Sequence, residues 1–248
     1  RHNIEAALMC EAPIEALEAL QRAGSLPPSV LATVGFGGLD EGHKDLWEHI
    51  KKVVSQTVPR PLVRWAALYH DVGKVKCFSR KSGEVTFHGH EALSAKLFHR
   101  ESQLLGFSLE DRQHVRFLVE HLGHIEAYES GWTDSAVRRV HKLGANYFDD
   151  LVDLARADIT TKHQDKRERH YRRLAELKAR AEALAAADAV VPPLPTGLGD
   201  VLCVELALAP GPELGALMAR LRAAVEAGQL PRQAAPSVYV AWVKAPGA

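Results

Sequence analysis

The sequence predicts an all-α fold, on three observations. Apolar residues recur at spacings of three and four along most of the chain, as in Leu46, Ile50, Val53 and Val54 and again in Val115, Leu118, Val119 and Leu122. Proline and glycine interrupt the periodic stretches at a few places, among them Pro13, Gly24, Pro27, Pro28, Pro59, Pro61 and Gly144. A hairpin or ordered loop is expected only over residues 77–87, turning at Ser82 and Gly83.

The chain has 248 residues, enough for one large domain or two small ones. Its 31 basic and 31 acidic residues cancel, which argues against a general coat for nucleic acid. No segment is long and apolar enough to span a bilayer, so no membrane partner is expected. Cys10, Cys77 and Cys203 are odd in number and form no CxxC pair. That argues against a disulfide framework and a thiolate zinc site, and cytoplasmic location is the simple expectation. There is no secretory apolar segment, although the chain starts at Arg1, which leaves a missing upstream portion open. Thirteen histidines are the compositional oddity, many of them between His43 and His124.

Three segments are expected: 1–39, short N-terminal helices; 40–189, the main helical domain; and 190–248, a C-terminal helical segment. Ile4, Ala7 and Leu8, then Ile14, Leu17 and Leu20, keep a helical period in the first. Gly35-Phe36-Gly37-Gly38 lacks phosphate-loop spacing and reads as a turn. A helix is expected from about Asp40 to Gln56, with His49 facing inward and His43 on the surface. The next places Val63, Ala66, Ala67 and His70 on one face. Another opens at His90-Glu91 and buries Leu97 and Phe98. Ser108 is expected to cap the following helix, with Asp111 at the capping-box position. Thr133 or Asp134 starts the next helix, and Gly144 stops it. Residues 163–187 form a densely charged helix whose first half, Lys166 to Arg173, is basic enough to hold a nucleic-acid backbone, with Arg138 and Arg139 nearby in support. Beyond the proline-containing linker at 190–195, Leu214, Leu217, Met218, Leu221 and Val225 share a helix face. Residues 237–243 read equally as a strand or a last helix.

The chemistry concentrates at Ala66-Ala67-Leu68-Tyr69-His70-Asp71-Val72-Gly73-Lys74. Adjacent imidazole and carboxylate side chains at the end of an apolar helix can meet one cation, and Lys74 adds a mobile positive charge. Asp158 follows Leu151, Leu154 and Ala155 at i, i+3, i+4 and i+7, so an acid takes a core position. Burying a carboxylate alone costs several kcal/mol, roughly, so something positive must meet it. A divalent metal held by His49, His70, Asp71 and Asp158 is the favoured answer; an arginine salt bridge is the alternative. Mn, Fe, Mg, Ni and Zn all suit such a ligand set.

The order His49 … His70-Asp71 … Asp158 resembles the HD superfamily of metal-dependent phosphohydrolases. With Trp47-Glu48-His49, His70-Asp71-Val72-Gly73-Lys74, Phe87-His88-Gly89-His90-Glu91, Ser94-Ala95 and Ala157-Asp158, residues 40–165 look like the HD domain in the C-terminal half of bacterial tRNA nucleotidyltransferases. The flanks, including Thr196 to Leu202, resemble the neighbouring body and tail more loosely. The glycine-rich loop and paired aspartates of the polymerising head are not in this chain. The resemblance implies an HD-domain helical bundle that hydrolyses phosphoesters with one or two divalent ions. Asp71 and Lys74 would then be catalytic. His90 and His121 would hold a second ion or bind phosphate, and His88 and His124 would be outer groups that contact substrate with Lys74; Arg138 joins them on its charge. The implied partner is a nucleotide or an RNA 3′-end carrying a 2′,3′-cyclic or 2′-phosphate, with self-association left open. A non-catalytic RNA-binding body and a hydrolase of small signalling or 5′-monophosphate nucleotides are the alternatives.

Overall fold

A computed structural model describes residues 1–37, 45–81, 84–144, 146–189 and 191–245. The expected positions of Gly38, Asp40 and His43, and the Ser82-Gly83 turn, lie outside the described residues. The described structure is all-α apart from one two-stranded hairpin. It divides into two compact units, residues 1–184 and 185–248.

In the first unit, α1 (His2–Met9), α2 (Pro13–Arg22) and the short α3 (Pro28–Leu31) lead to α4 (Leu46–Gln56). Asp45 caps α4, its side chain accepting from Glu48 N, so this helix starts at Leu46 rather than near Asp40. Next come α5 (Pro61–Tyr69), α6 (Lys74–Cys77) and the antiparallel strands β1 (Ser79–Lys81) and β2 (Glu84–Thr86). The remaining helices of the unit are α7 (His90–Leu104), α8 (Leu109–Glu126), α9 (Asp134–Leu143), α10 (Phe148–Asp158) and α11 (Gln164–Ala189), whose last residues pass into the second unit.

Helix α5 is the hub. Every residue from Val63 to Tyr69 is buried, and α1, α4, α7, α8 and α10 all pack against it. A helix apolar all round can only be stable when enclosed in this way. Its Arg64 is buried, with no carboxylate partner among the described residues; the guanidinium donates to the carbonyls of Thr57 and Leu8. Two polar ties bind the N-terminal helices to the same core. Lys51 pairs with Glu18 and Glu48, and the buried Glu101 accepts from Ser29 N, Ser29 Oγ and Tyr69 Oη. Ser108 caps α8 through Asp111 N, and Thr133 caps α9 through Ala136 N. Helix α11 is clamped to the loop after α8: Glu176 accepts from Tyr128 Oη and Ser130 Oγ, and Arg180 reaches Trp132 O and Asp134.

In the second unit, α12 (Leu198–Leu206), α13 (Pro212–Glu226) and α14 (Pro236–Lys244) enclose Leu198, Leu202, Leu221, Val225 and Tyr239. Residues 237–243 are thus helical. Pro236 occupies the first turn, where its missing N–H costs nothing. Tyr239 fixes the helix by donating from Oη to Pro231 O and accepting from Ala234 N.

Candidate metal centre

Four helices bring the candidate ligands together. His49 projects from the middle of α4, His70 and Asp71 follow the last turn of α5, His90 opens α7, and Asp158 ends α10. Two close approaches set the spacing. A Cβ at Gly73 would clash with the His90 carbonyl and come within 2.9 Å of Ser94 N, so only glycine lets the chain pass the start of α7. The Gly73 N–H donates to Ser94 Oγ at 2.8 Å, which fixes that crossing. At the far side, Gln56 Nε2 donates to Ala157 O at 2.6 Å and holds the end of α10 against α4.

The imidazoles face one another, with Nε2 of His49 and His70 3.2 Å apart. Asp158 Oδ1 lies 3.0 Å from the first and 3.3 Å from the second, and Asp71 Oδ2 lies 3.3 Å from both. Atoms bonded to one cation at about 2.1 Å stand roughly 3.0–3.4 Å apart along adjacent edges, so these separations are those of a coordination shell. Asp158 Oδ1 is buried without a hydrogen-bond partner despite its nearness to both rings, so the nitrogens are not aligned to donate to it. The outer ring nitrogens have separate partners: His70 Nδ1 faces Ala67 O at 2.8 Å, His90 Nδ1 faces Phe87 O at 3.0 Å, and His49 Nδ1 faces Thr160 Oγ1 at 3.3 Å. Donation from Nδ1 leaves the Nε2 lone pair for a metal. The residues therefore fit a divalent ion.

The electrostatics agree. Burial opposes the charged imidazole of His70 and of His49, but the Asp71 and Asp158 carboxylates outweigh it and hold both pKa values above the usual range. Burial likewise opposes the charged carboxylates, yet the neighbouring imidazoles keep both aspartates below theirs. The centre thus demands positive charge, which protons or a cation can satisfy. Asp71 is 3% exposed and Asp158 21%, so Asp158 marks the open side.

The other expected residues are more scattered. His90 Nε2 approaches the other Asp71 oxygen at 3.4 Å, and Lys74 Nζ binds Asp71 Oδ2 at 2.6 Å. His121 and His124 face each other edge to face on α8, with centroids 5.2 Å apart, and burial lowers the His121 pKa. His121 is outside the group formed by His49, His70 and Asp158, whose ligand atoms all lie within 4.8 Å of one another. Exposed His88 lines a separate hollow with Cys77 and Glu84, and Arg138 is exposed on α9.

Sequence reasoning missed Glu126. It counts among the exposed residues overall, yet it shares a cavity wall with Asp158, and its pKa is pushed up to about 8 by removal from water and by the Asp158 charge. It follows Val119 by seven residues, so the spacing that singled out Asp158 also marked Glu126.

Residues 44–191 match the family model described as HD domain. Over 221 residues the chain is 31% identical to the A-adding tRNA nucleotidyltransferase of Deinococcus radiodurans, a match that covers 84% of this chain and 48% of that protein. The chain therefore spans about half the length of the curated relative it matches. The HD model extends over more than half of the sequence and contains His49, His70, Asp71 and Asp158, which converge in the fold, and the chain belongs to the HD domain family.

Proposed function

We propose that this chain is a metal-dependent phosphohydrolase acting on a nucleotide or on the terminal phosphate of an RNA, such as a 2′,3′-cyclic or 2′-phosphate. The observation that carries the reading is Asp158 Oδ1, buried without a hydrogen bond 3.0 Å from one imidazole nitrogen and 3.3 Å from another. His49, His70, Asp71 and Asp158 would hold the metal. When bound, a divalent metal supplies water activation and polarisation of a phosphoryl oxygen.

The chain's own side chains have separable tasks. Hydrogen bonds to Ala67 O and Phe87 O hold the His70 and His90 rings with Nε2 turned inward. Lys74 and His90 flank Asp71 and offer positive charge to the equatorial oxygens of a reacting phosphate. The Glu126 carboxyl, beside Asp158 on the open side, is placed to exchange a proton with a group entering there. The relative's name points to a tRNA end as the RNA concerned.

The test is metal content together with hydrolysis of bis-p-nitrophenyl phosphate and a 2′,3′-cyclic nucleotide, for the wild type and the double variant His70→Ala/Asp71→Ala. Bound metal and turnover that disappear together are expected. A folded wild type that takes up neither Mn nor Ni and turns over neither substrate would replace this reading with a non-catalytic RNA-binding body.

A further inference from the structure

A cavity of about 380 Å³ opens between the ends of α8 and α10 and the first half of α11, with Asp158 and Glu126 on its wall. The volume is near the lower end of the ~300–1,000 Å³ of small-molecule sites. Its lining has two characters. Ile125, Ala155, Ile159 and Leu174 are apolar; Thr160, Thr161, His170 and Arg173 supply donors. Exposed His170 has no hydrogen-bond partner among the described residues. The hydrogen bonds of Arg173 among the described residues, to Tyr128 O and Glu129 Oε1, both leave from Nη2, so Nε and Nη1 of this cavity-lining residue are without one. A flat apolar group beside a dianion is the ligand such walls recognise.

We infer that this cavity is the binding site for a single phosphorylated nucleoside: the base and sugar lie against Ile125, Ile159 and Leu174, and His170 and Arg173 hold a phosphate beside Asp158. The inference deepens the proposed hydrolase reading and rests on it for the direction of the reacting phosphate. The nucleoside can come from a free nucleotide or from the 3′ end of an RNA. Lys166, His170 and Arg173 follow one another at i, i+4 and i+7 on α11, so a basic stripe leads along the helix to the cavity.

Binding is read by calorimetry on the metal-free full chain, independently of turnover, with 3′-AMP, 2′-AMP, adenosine and inorganic phosphate as probes. The nucleotides are expected to bind at least about tenfold more tightly than adenosine or phosphate. His170→Ala, at an exposed position, and Thr161→Trp, which fills the cavity, are each expected to weaken nucleotide binding by about tenfold or more. Phosphate binding as tightly as the nucleotides, or a folded Thr161→Trp with unchanged affinity, overturns the inference. Nucleotide binding without hydrolysis by the metal-loaded wild type upholds the cavity and sinks the hydrolase reading alone. A 3′-phosphorylated RNA oligonucleotide separates the sources. Tighter binding than 3′-AMP, lost in Lys166→Glu, supports the RNA end, and equal binding supports the free nucleotide.

Discussion

Gly73→Ala tests the site's architecture with a single added methyl group. The new Cβ would overlap the His90 carbonyl and stand 2.9 Å from both Ser94 N and Ser94 Oγ, and two of these three atoms are backbone. Ordinary contact begins at 3.4 Å, so the start of α7 must retreat by about 0.5 Å at Ser94 and roughly 1 Å at His90. That movement also stretches the bond from Gly73 N–H to Ser94 Oγ, which contributes about 1 kcal/mol. Overpacking of this kind costs ~1–3 kcal/mol, so the variant is expected to lose ~2–4 kcal/mol of stability. In a chain of this size that is a fall in Tm of roughly 4–16 °C. The displaced atom belongs to His90, and a misplacement of about 1 Å can cost ~10²-fold in rate. Thermal melts and turnover of a cyclic nucleotide are measured side by side with Gly131→Ala, where a Cβ meets nothing within 4 Å. The control is expected to stay within ~0.5 kcal/mol of wild type. Gly123→Ala should fall between them, because its obstacle is the movable Glu91 carboxylate. A Gly73→Ala protein with Tm within about 1 °C of wild type and full turnover would refute the close-approach argument.

Asp158→Ala is expected to keep the fold and lower metal affinity by more than about tenfold, measured by equilibrium dialysis with elemental analysis; unchanged stoichiometry at low free metal would remove Asp158 from the ligand set. Stability should respond to pH in a metal-dependent way. His49 and His70 are raised above 6.5, so their contribution is complete below about 6.5 and is lost as pH rises through the folded-state values. Glu126, raised to about 8, keeps its proton longer folded than unfolded and also loses stability for the metal-free protein between about 4.5 and 8. Asp71 and Asp158, lowered, act oppositely: their contribution is present above about 3.8 and is lost as pH falls through their folded values. Urea unfolding at pH 6, 7 and 8 should show the chelated protein weakening as pH rises while added Mn stabilises it increasingly, since the ligands bind metal deprotonated; a metal effect that does not grow with pH would contradict this assignment. Glu101→Ala strands Ser29 N–H and Tyr69 Oη in the core, at about 1–3 kcal/mol each, and should melt well below Glu101→Gln, which can still accept hydrogen bonds.

The sequence by itself determined the helices and their principal stops, because those depend on residues three or four positions apart. The buried stripes of α4 and α8, the Ser108 and Thr133 caps and the end of α9 at Gly144 are all of this kind. The His70-Asp71 pair and the acid on the α10 stripe were legible for the same reason, since an ionisable group at a core spacing stands out whatever surrounds it. Only tertiary structure decided which of thirteen histidines converge. His49 and His121 are equivalent in pattern, each beside an apolar stripe; packing of α4 on α5 and α10 brings the first to the cluster, while the second turns toward His124. Residues 237–243 were ambiguous because the six consecutive apolar residues after Ser237 satisfy either period; burial of Tyr239 and its bonds to Pro231 and Ala234 select the helix. Glu101 carries ordinary surface chemistry in sequence and becomes a structural residue only through Tyr69, 32 positions away; Glu126 sits on the α8 stripe spacing, but its neighbour Asp158 is likewise 32 positions away. Such contacts follow from the crossing of helices, and no local pattern encodes that geometry.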